Sequence, residues 1–181
     1  MDEYVGLDPS HPAGFRNFLR RAIFDHKPFK SVHLLNGNAE DPWAEADRYH
    51  TLLAEHPLDV CILGIGENGH IAFNDPPVAD FNDKKFVKVV ELDQVCRMQQ
   101  VHDGCFASID QVPTHALSAT IPGLCAAKYM FCSVPASTKA LAVKHTVEDA
   151  VSTACPATIL KEQLHACLYT DKDAGQYLLD K

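Results

Sequence analysis

In the stretch Asp59-Val60-Cys61-Ile62-Leu63-Gly64-Ile65-Gly66-Glu67-Asn68-Gly69-His70-Ile71-Ala72-Phe73-Asn74-Asp75-Pro76, an apolar run gives way to glycines and then to Asn68, His70 and Asp75. This is the order in which a buried parallel strand delivers polar side chains at its carboxyl end. An imidazole can accept and return a proton near neutral pH, and a nearby carboxylate can hold it in one tautomer. His70 and Asp75 are therefore a candidate proton-transfer pair, with Asn68 as a hydrogen-bonding neighbour. Gly66 and Gly69 let the backbone turn sharply and approach a ligand. The alternative for His70 is a satisfied core histidine, given the Ile-Ala-Phe run beside it. Gly64-x-Gly66-x-x-Gly69 also matches the dinucleotide fingerprint, but Pro76-Pro77 does not fit inside the crossover helix that such a site needs. No nicotinamide or flavin cofactor is expected.

Two other charged positions bear on chemistry. Lys139 falls in the first turn of a predicted helix, where the helix dipole disfavours a cation unless an anion is close; helix amides plus a lysine make a workable phosphate site. A surface lysine is the competing reading. Asp2-Glu3, by charge alone, reads as solvated surface. The seven cysteines include no C-x-x-C pair and several lie in apolar runs, the pattern of buried, reduced thiols in a cytoplasmic protein. No metal site is expected from that spacing. With 16 basic against 24 acidic residues and a formal net charge of -8, the chain lacks the basic excess of a nucleic-acid binder. It also lacks an apolar run long enough to span a membrane.

The elements that must position these groups alternate. A helix is predicted from Ser10, ended by Lys27-Pro28, then a strand over 31–35 and a second helix opened by Asp41-Pro42. A strand over 60–63 leads into the polar loop. Next come a strand over 86–90, a helix capped by Asp93 and stopped by Gly104, a strand over 116–120, a short helix at Pro122, and a strand over 129–134. Helices over 137–147 and 156–163 and a strand over 165–169 complete the pattern. The alternation predicts an α/β fold, an open and mainly parallel sheet with helices on both faces, as one domain over residues 1–181.

Met1-Asp2-Glu3-Tyr4-Val5-Gly6-Leu7, Leu34-Leu35-Asn36-Gly37-Asn38-Ala39, the run 64–76, Val112-Pro113-x-x-Ala116-Leu117 and Thr138-Lys139-Ala140 occur in this order and together resemble the glucosamine-6-phosphate deaminase family. The resemblance spans nearly the whole chain. It implies a modified Rossmann-like fold and conversion of an amino-sugar phosphate, glucosamine 6-phosphate, to fructose 6-phosphate and ammonia, without metal or organic cofactor. By that resemblance Asp2 is the base acting between C2 and C1 of the opened sugar. His70 moves the proton in ring opening, Asp75 orients it, and Lys139 holds the phosphate. Arg97 is a second candidate phosphate contact, although the family arginine aligns nearer Gln100.

Asn68 stands where aspartate is common in the family. Asp75 stands where glutamate is usual, and its shorter side chain is expected to need a backbone shift or a water to reach His70. The family's first βα unit and its glycine-rich phosphate loop have no counterpart. The chain is therefore expected to be the carboxyl-terminal portion of the family domain, weakly active, with Asp2 on a fraying end. A sugar-phosphate lactonase of the 6-phosphogluconolactonase type and an inactive or regulatory sugar-phosphate-binding fragment are the alternatives. Homo-oligomerisation is left open.

Overall fold

The computed structural model describes residues 1–178. Among them are six strands, β1 (Asp2–Tyr4), β2 (Val60–Leu63), β3 (Val87–Glu91), β4 (His115–Ala119), β5 (Tyr129–Val134) and β6 (Ala166–Thr170). They form two sheets. β2, β5 and β6 pair in parallel in the order β2-β5-β6, with Cys61 opposite Met130 and Cys132 opposite Leu168. β1, β4 and β3 pair antiparallel in the order β1-β4-β3, with Asp2 opposite Ser118. The α/β architecture with a parallel sheet is as expected. The second sheet is not, because β1 and β3 reach β4 only through long-range pairing that local patterning does not encode.

Helices α1 (Phe15–Ala22), α2 (Pro42–Glu55), α3 (Gln94–His102), α4 (Ile121–Cys125) and α5 (Ala140–Glu148) surround the sheets. α2 starts as its sequence dictates: Asp41 Oδ1 accepts from the amides of Trp43 and Ala44, and Pro42 occupies the first turn. α4 is likewise capped by Thr120, whose hydroxyl oxygen accepts from the Gly123 amide. α1 departs from expectation. Ser10 is engaged by Asp8, to which its hydroxyl donates at 2.6 Å, and the helix starts at Phe15 instead. Its cap comes from another element: the buried Glu3 carboxylate of β1 accepts from the amides of Phe15 and Arg16 and from its own neighbour Tyr4. A strand-borne carboxylate thus fills the anionic role at a helix N-terminus.

The predicted strand over 31–35 is absent. Carbonyls there are taken by α2 side chains instead: Tyr49 Oη donates to His33 O and Arg48 Nη2 to Leu34 O. The helix predicted over 137–147 is observed as a 3-10 turn, Ser137–Lys139, running into α5, and the one over 156–163 is a 3-10 helix, Pro156–Glu162.

The largest apolar cluster lies on one face of the parallel sheet, with Cys61, Leu63, Met130, Cys132 and Val134 packed against Val143, Ala157 and Leu160. The opposite face, carrying Val60, Ile62, Tyr129, Phe131 and Tyr169, is exposed, so helices do not cover both faces. Of the cysteines, Cys61, Cys96 and Cys132 are buried as expected, Cys125 and Cys155 are partly buried, and Cys105 and Cys167 are exposed. No described helix is long and apolar enough to cross a membrane.

Candidate active site

β2 ends at Leu63, and the chain then folds over itself before Pro76. The Gly66 amide donates to His70 O, the Gly69 amide donates to Gly66 O, and the Ala157 amide donates to Gly69 O. Two glycines are required here. A Cβ on Gly66 would stand 2.1 Å from the His70 ring, and Gly69 has φ +82° with its missing Cβ directed at Cys155 Sγ. Farther on, Ala72 is also left-handed at φ 49°. The loop is pinned to the other sheet by buried polar groups. The Phe73 amide donates to Ser118 Oγ, and Asn74 Nδ2 donates to both Ile71 O and Ala119 O. One short loop therefore ties the end of β2 to β4.

His70 and Asp75 are brought together directly. His70 Nδ1 lies 2.8 Å from Asp75 Oδ1, so the shorter aspartate reaches the ring without a water or a backbone shift. The Asp75 carboxyl is also hydrogen-bonded by the Asp93 amide and the Cys96 thiol. Asn68 joins the pair: its Nδ2 donates to Asp75 Oδ1 at 2.9 Å and its Oδ1 accepts from the His70 amide. Burial works to raise the Asp75 carboxyl, but His70 and then Asn68 outweigh it and hold the group below the usual carboxylate range. Asp75 is thus a fixed anion behind the imidazole. Against it sits the buried thiol of Cys96, which burial and then the Asp75 charge push far above its ordinary value.

In front of His70 opens a cavity of about 560 Å³, whose walls include Asp2, Phe15, Phe18, Arg21, Gly64, Gly66, His70, Gln99, Gln100 and Asp103. Asp2 enters this cleft from β1. Its strand is paired to β4, and the Ala119 amide donates to Met1 O, so the residue sits in a ladder and not on a fraying end. Burial raises its carboxyl above the ordinary value, although the amine of Met1 and then His70 oppose that. A raised carboxylate is the better base.

Lys139 ends the 3-10 turn after β5 and is half-buried, which lowers its ammonium, while Asp103 and Glu67 pull it back up. It therefore stands in the field of one carboxylate that lines the cleft and of another in the loop beneath it. Arg97 is placed elsewhere. Its Nη2 donates to Ile109 O and Val112 O, and it borders a different cavity together with Glu91 and Asp93. It fastens α3 to the following loop, and this geometry corrects its assignment as a phosphate contact.

The walls contain residues that sequence reading missed. Gln99 Oε1 accepts from the Glu67 amide and Gln100 lines the cleft, both presented by α3. Phe15 and Phe18 showed only a helical apolar stripe, which reads as core. The sole pointer was Gln100, which falls where the resemblance places an arginine.

A parallel strand thus ends in a glycine loop that carries a histidine-carboxylate pair beneath a cleft, an α/β arrangement placed for proton transfer. The family model for glucosamine-6-phosphate isomerases/6-phosphogluconolactonase matches residues 2–168, and the chain belongs to that family. A glucosamine-6-phosphate deaminase of Lactobacillus delbrueckii subsp. bulgaricus is 36% identical over 178 residues, covering 98% of this chain and 74% of that protein. One of Bacillus thuringiensis is 38% identical over 174 residues, covering 96% and 64% respectively. Among solved structures, a monomeric glucosamine-6-phosphate deaminase superposes with TM-score 0.88 at 32% identity, over 97% of this chain and 72% of that one. A 6-phosphogluconolactonase from Leishmania guyanensis gives TM-score 0.73 at 18% identity, over 97% and 72%, a likeness of fold alone.

Proposed function

We propose that the site converts glucosamine 6-phosphate and water to fructose 6-phosphate and ammonia. The observation that carries this reading is the convergence on one cleft of two differently tuned acid-base groups: Asp2, raised, from β1, and His70, backed by the lowered Asp75, from the β2 loop. Ring opening needs a group that takes the proton from the anomeric hydroxyl and returns one to the ring oxygen, a task suited to imidazole. Asp75 stays ionised, holds the ring by Nδ1 and stabilises it while it carries the extra proton. Asp2 then removes the C2 proton of the open amino aldose and delivers it to C1. As a proton of the C2 ammonium passes to O1, the C1 carbonyl becomes an alcohol and an iminium is left at C2; water adds there, the amine takes the proton that the added water gives up, and ammonia departs.

Asn68 orients Asp75 without adding charge, and Lys139 is the cation for the substrate phosphate. Relatives at 36–38% identity that bear the deaminase name support this chemistry over lactone hydrolysis. Location in the cytoplasm agrees with a free sugar phosphate as substrate. The test is a product balance on the purified protein given glucosamine 6-phosphate, with 6-phosphogluconolactone as the parallel substrate. Ammonia and fructose 6-phosphate in equal amounts are expected. Acid release from the lactone with no ammonia from the amino sugar would overturn the assignment.

A further inference from the structure

We propose that Gln99 is a positioning residue for proton transfer at His70, locking the glycine loop to α3 through the Glu67 amide. The proposal rests on the reaction given above, in which His70 opens the sugar ring. Gln99 Oε1 accepts from the Glu67 amide at 3.0 Å, and Gln99 Nε2 donates to Asp103 Oδ2 at 3.3 Å, one helical turn further along α3. The residue is 8% exposed, so its amide is held at both ends in a largely buried setting, as buried amides ordinarily are. It borders the cleft, but it acts on the chemistry through the loop.

Two observations make the Glu67 amide a point of control. The first is that the imidazole lies against Gly66. A Cβ there would stand 2.1 Å from His70 Cε1, 2.3 Å from Nε2 and 2.4 Å from Nδ1. Three ring atoms at similar distances mean that Gly66 faces the plane of the ring. The peptide joining Gly66 to Glu67 is thus the floor of the imidazole, and the N–H that Gln99 holds belongs to that peptide. The second observation is that α3 also holds the partner of the ring. At the start of the helix the Asp93 amide and the Cys96 thiol hydrogen-bond the Asp75 carboxyl. Cys96 and Gln99, three residues apart and both buried, share one face of α3. One rigid element therefore fixes the floor of the ring and its carboxylate relative to each other. The bonds of the turn itself, from the Gly66 amide to His70 O and from the Gly69 amide to Gly66 O, move with the turn and do not set that relation. Gln99 sets it, and a displacement of about 1 Å in a reacting group can cost about 10²-fold in rate.

The first variant is Gln99→Met, which keeps the length of the side chain and removes both polar ends. The kcat for ammonia release should fall about 10- to 100-fold with KM within about twofold, because a displaced imidazole slows the proton transfer and leaves binding alone. Gln99→Asn, one methylene short of the Glu67 amide, should lose kcat in the same direction and carries the test should Gln99→Met fail to fold. Gln99→Glu combined with Asp103→Asn rebuilds both hydrogen bonds, the carboxylate now accepting from the Glu67 amide and from the new amide at position 103. It should recover kcat to within about threefold of Asp103→Asn alone, a comparison that cancels the loss of the Asp103 charge near Lys139. The same variants are read without substrate in the 15N–1H NMR spectrum of the His70 ring. One sharp set of signals is expected in the parent, broadened or doubled in Gln99→Met and sharp again in the paired variant. Unchanged kcat and ring signals in Gln99→Met, a loss carried by KM alone, or a paired variant as impaired as Gln99→Met would each overturn the positioning role. A parent that releases no ammonia overturns the reaction instead, and the ring signals then decide by themselves whether Gln99 positions His70.

Discussion

The two sheets reverse the usual relation between strand direction and burial. Parallel sheets are normally covered on both faces and antiparallel ones often on one. Here β4 of the antiparallel sheet is buried on both sides, Ala116 facing one apolar cluster and Leu117 another. The parallel β2 alternates instead, Cys61 and Leu63 buried, Val60 and Ile62 exposed. The difference has a functional counterpart. The parallel sheet contributes its chemistry locally, through one loop that leaves β2 and carries Asn68, His70 and Asp75. The antiparallel sheet contributes through tertiary pairing: β1 places Asp2 in the cleft and Glu3 at the head of α1 only because β4 holds it. A site built from both should fail by different routes when each half is disturbed.

The largest effects are expected at the two acid-base groups. His70→Gln and Asp2→Asn should each lower the rate of ammonia release by about 10²–10⁴-fold, the usual worth of a positioned acid or base. On the proposed mechanism they serve successive proton transfers, so the double variant should be about as slow as the slower single one. Steady-state assays with folding checked by circular dichroism decide this, and near-parental turnover by either variant would remove that residue from the mechanism.

Next comes Glu3→Ala, which should leave the His70 loop intact while loosening the other half. The carboxylate accepts three buried or half-buried amide bonds. Hydrogen bonds to a charged group contribute about 1.5–3 kcal/mol, and losing the acceptor strands its donors, so a loss of about 3 kcal/mol in urea unfolding is expected. If stability stays within about 0.5 kcal/mol of the parent, in the range of an ordinary surface change, α1 is not anchored by β1.

The pH profile separates the halves again. Asp2 must be ionised to act as base and its carboxyl is raised, so the acid limb of kcat/KM should break above the ordinary carboxylate value and fall about tenfold per pH unit below that break. Asp75, held low, stays ionised through that window. The stability signs are opposite. A raised Asp2 stabilises the fold at low pH, an effect lost as pH rises through its folded value. A lowered Asp75 stabilises above its unfolded value, and this is lost as pH falls through its folded one. Asp2→Asn should therefore gain stability relative to the parent on going from acid to neutral pH; a constant difference would refute the raised carboxyl.

What was legible in the sequence follows the same division. The strands over 60–63 and 129–134 and the capped helix at Asp41-Pro42 are encoded by residues within the elements, and they appear as read. His70 and Asp75 were legible because they share one loop. Charge and spacing did not mark Asp2, since an acidic pair in a short strand reads as surface until its partner Ser118 is known, and the family resemblance alone pointed to it. The start of α1 was misplaced for the same reason, its cap lying twelve residues upstream of Phe15 on β1. Arg97 had the right charge and the wrong direction, which helical spacing alone does not resolve. The gaps occur where a residue's role is assigned by a distant element.

The smallest effect tests the bare face directly. Val60, Cys61, Ile62 and Leu63 are all apolar, so composition does not say which side of β2 is covered; only packing does. Ile62 is 72% exposed, and Ile62→Thr keeps a β-branched side chain in the strand, so stability should change by no more than about 0.5 kcal/mol. Met130, one strand away on the packed side and 1% exposed, is the control: Met130→Ala should cost about 2–5 kcal/mol through lost burial and the cavity left behind. Urea unfolding of both variants measures the asymmetry of one sheet without touching the cleft. A cost for Ile62→Thr close to that of Met130→Ala would mean that this face is packed in solution, and that the parallel sheet obeys the ordinary rule after all.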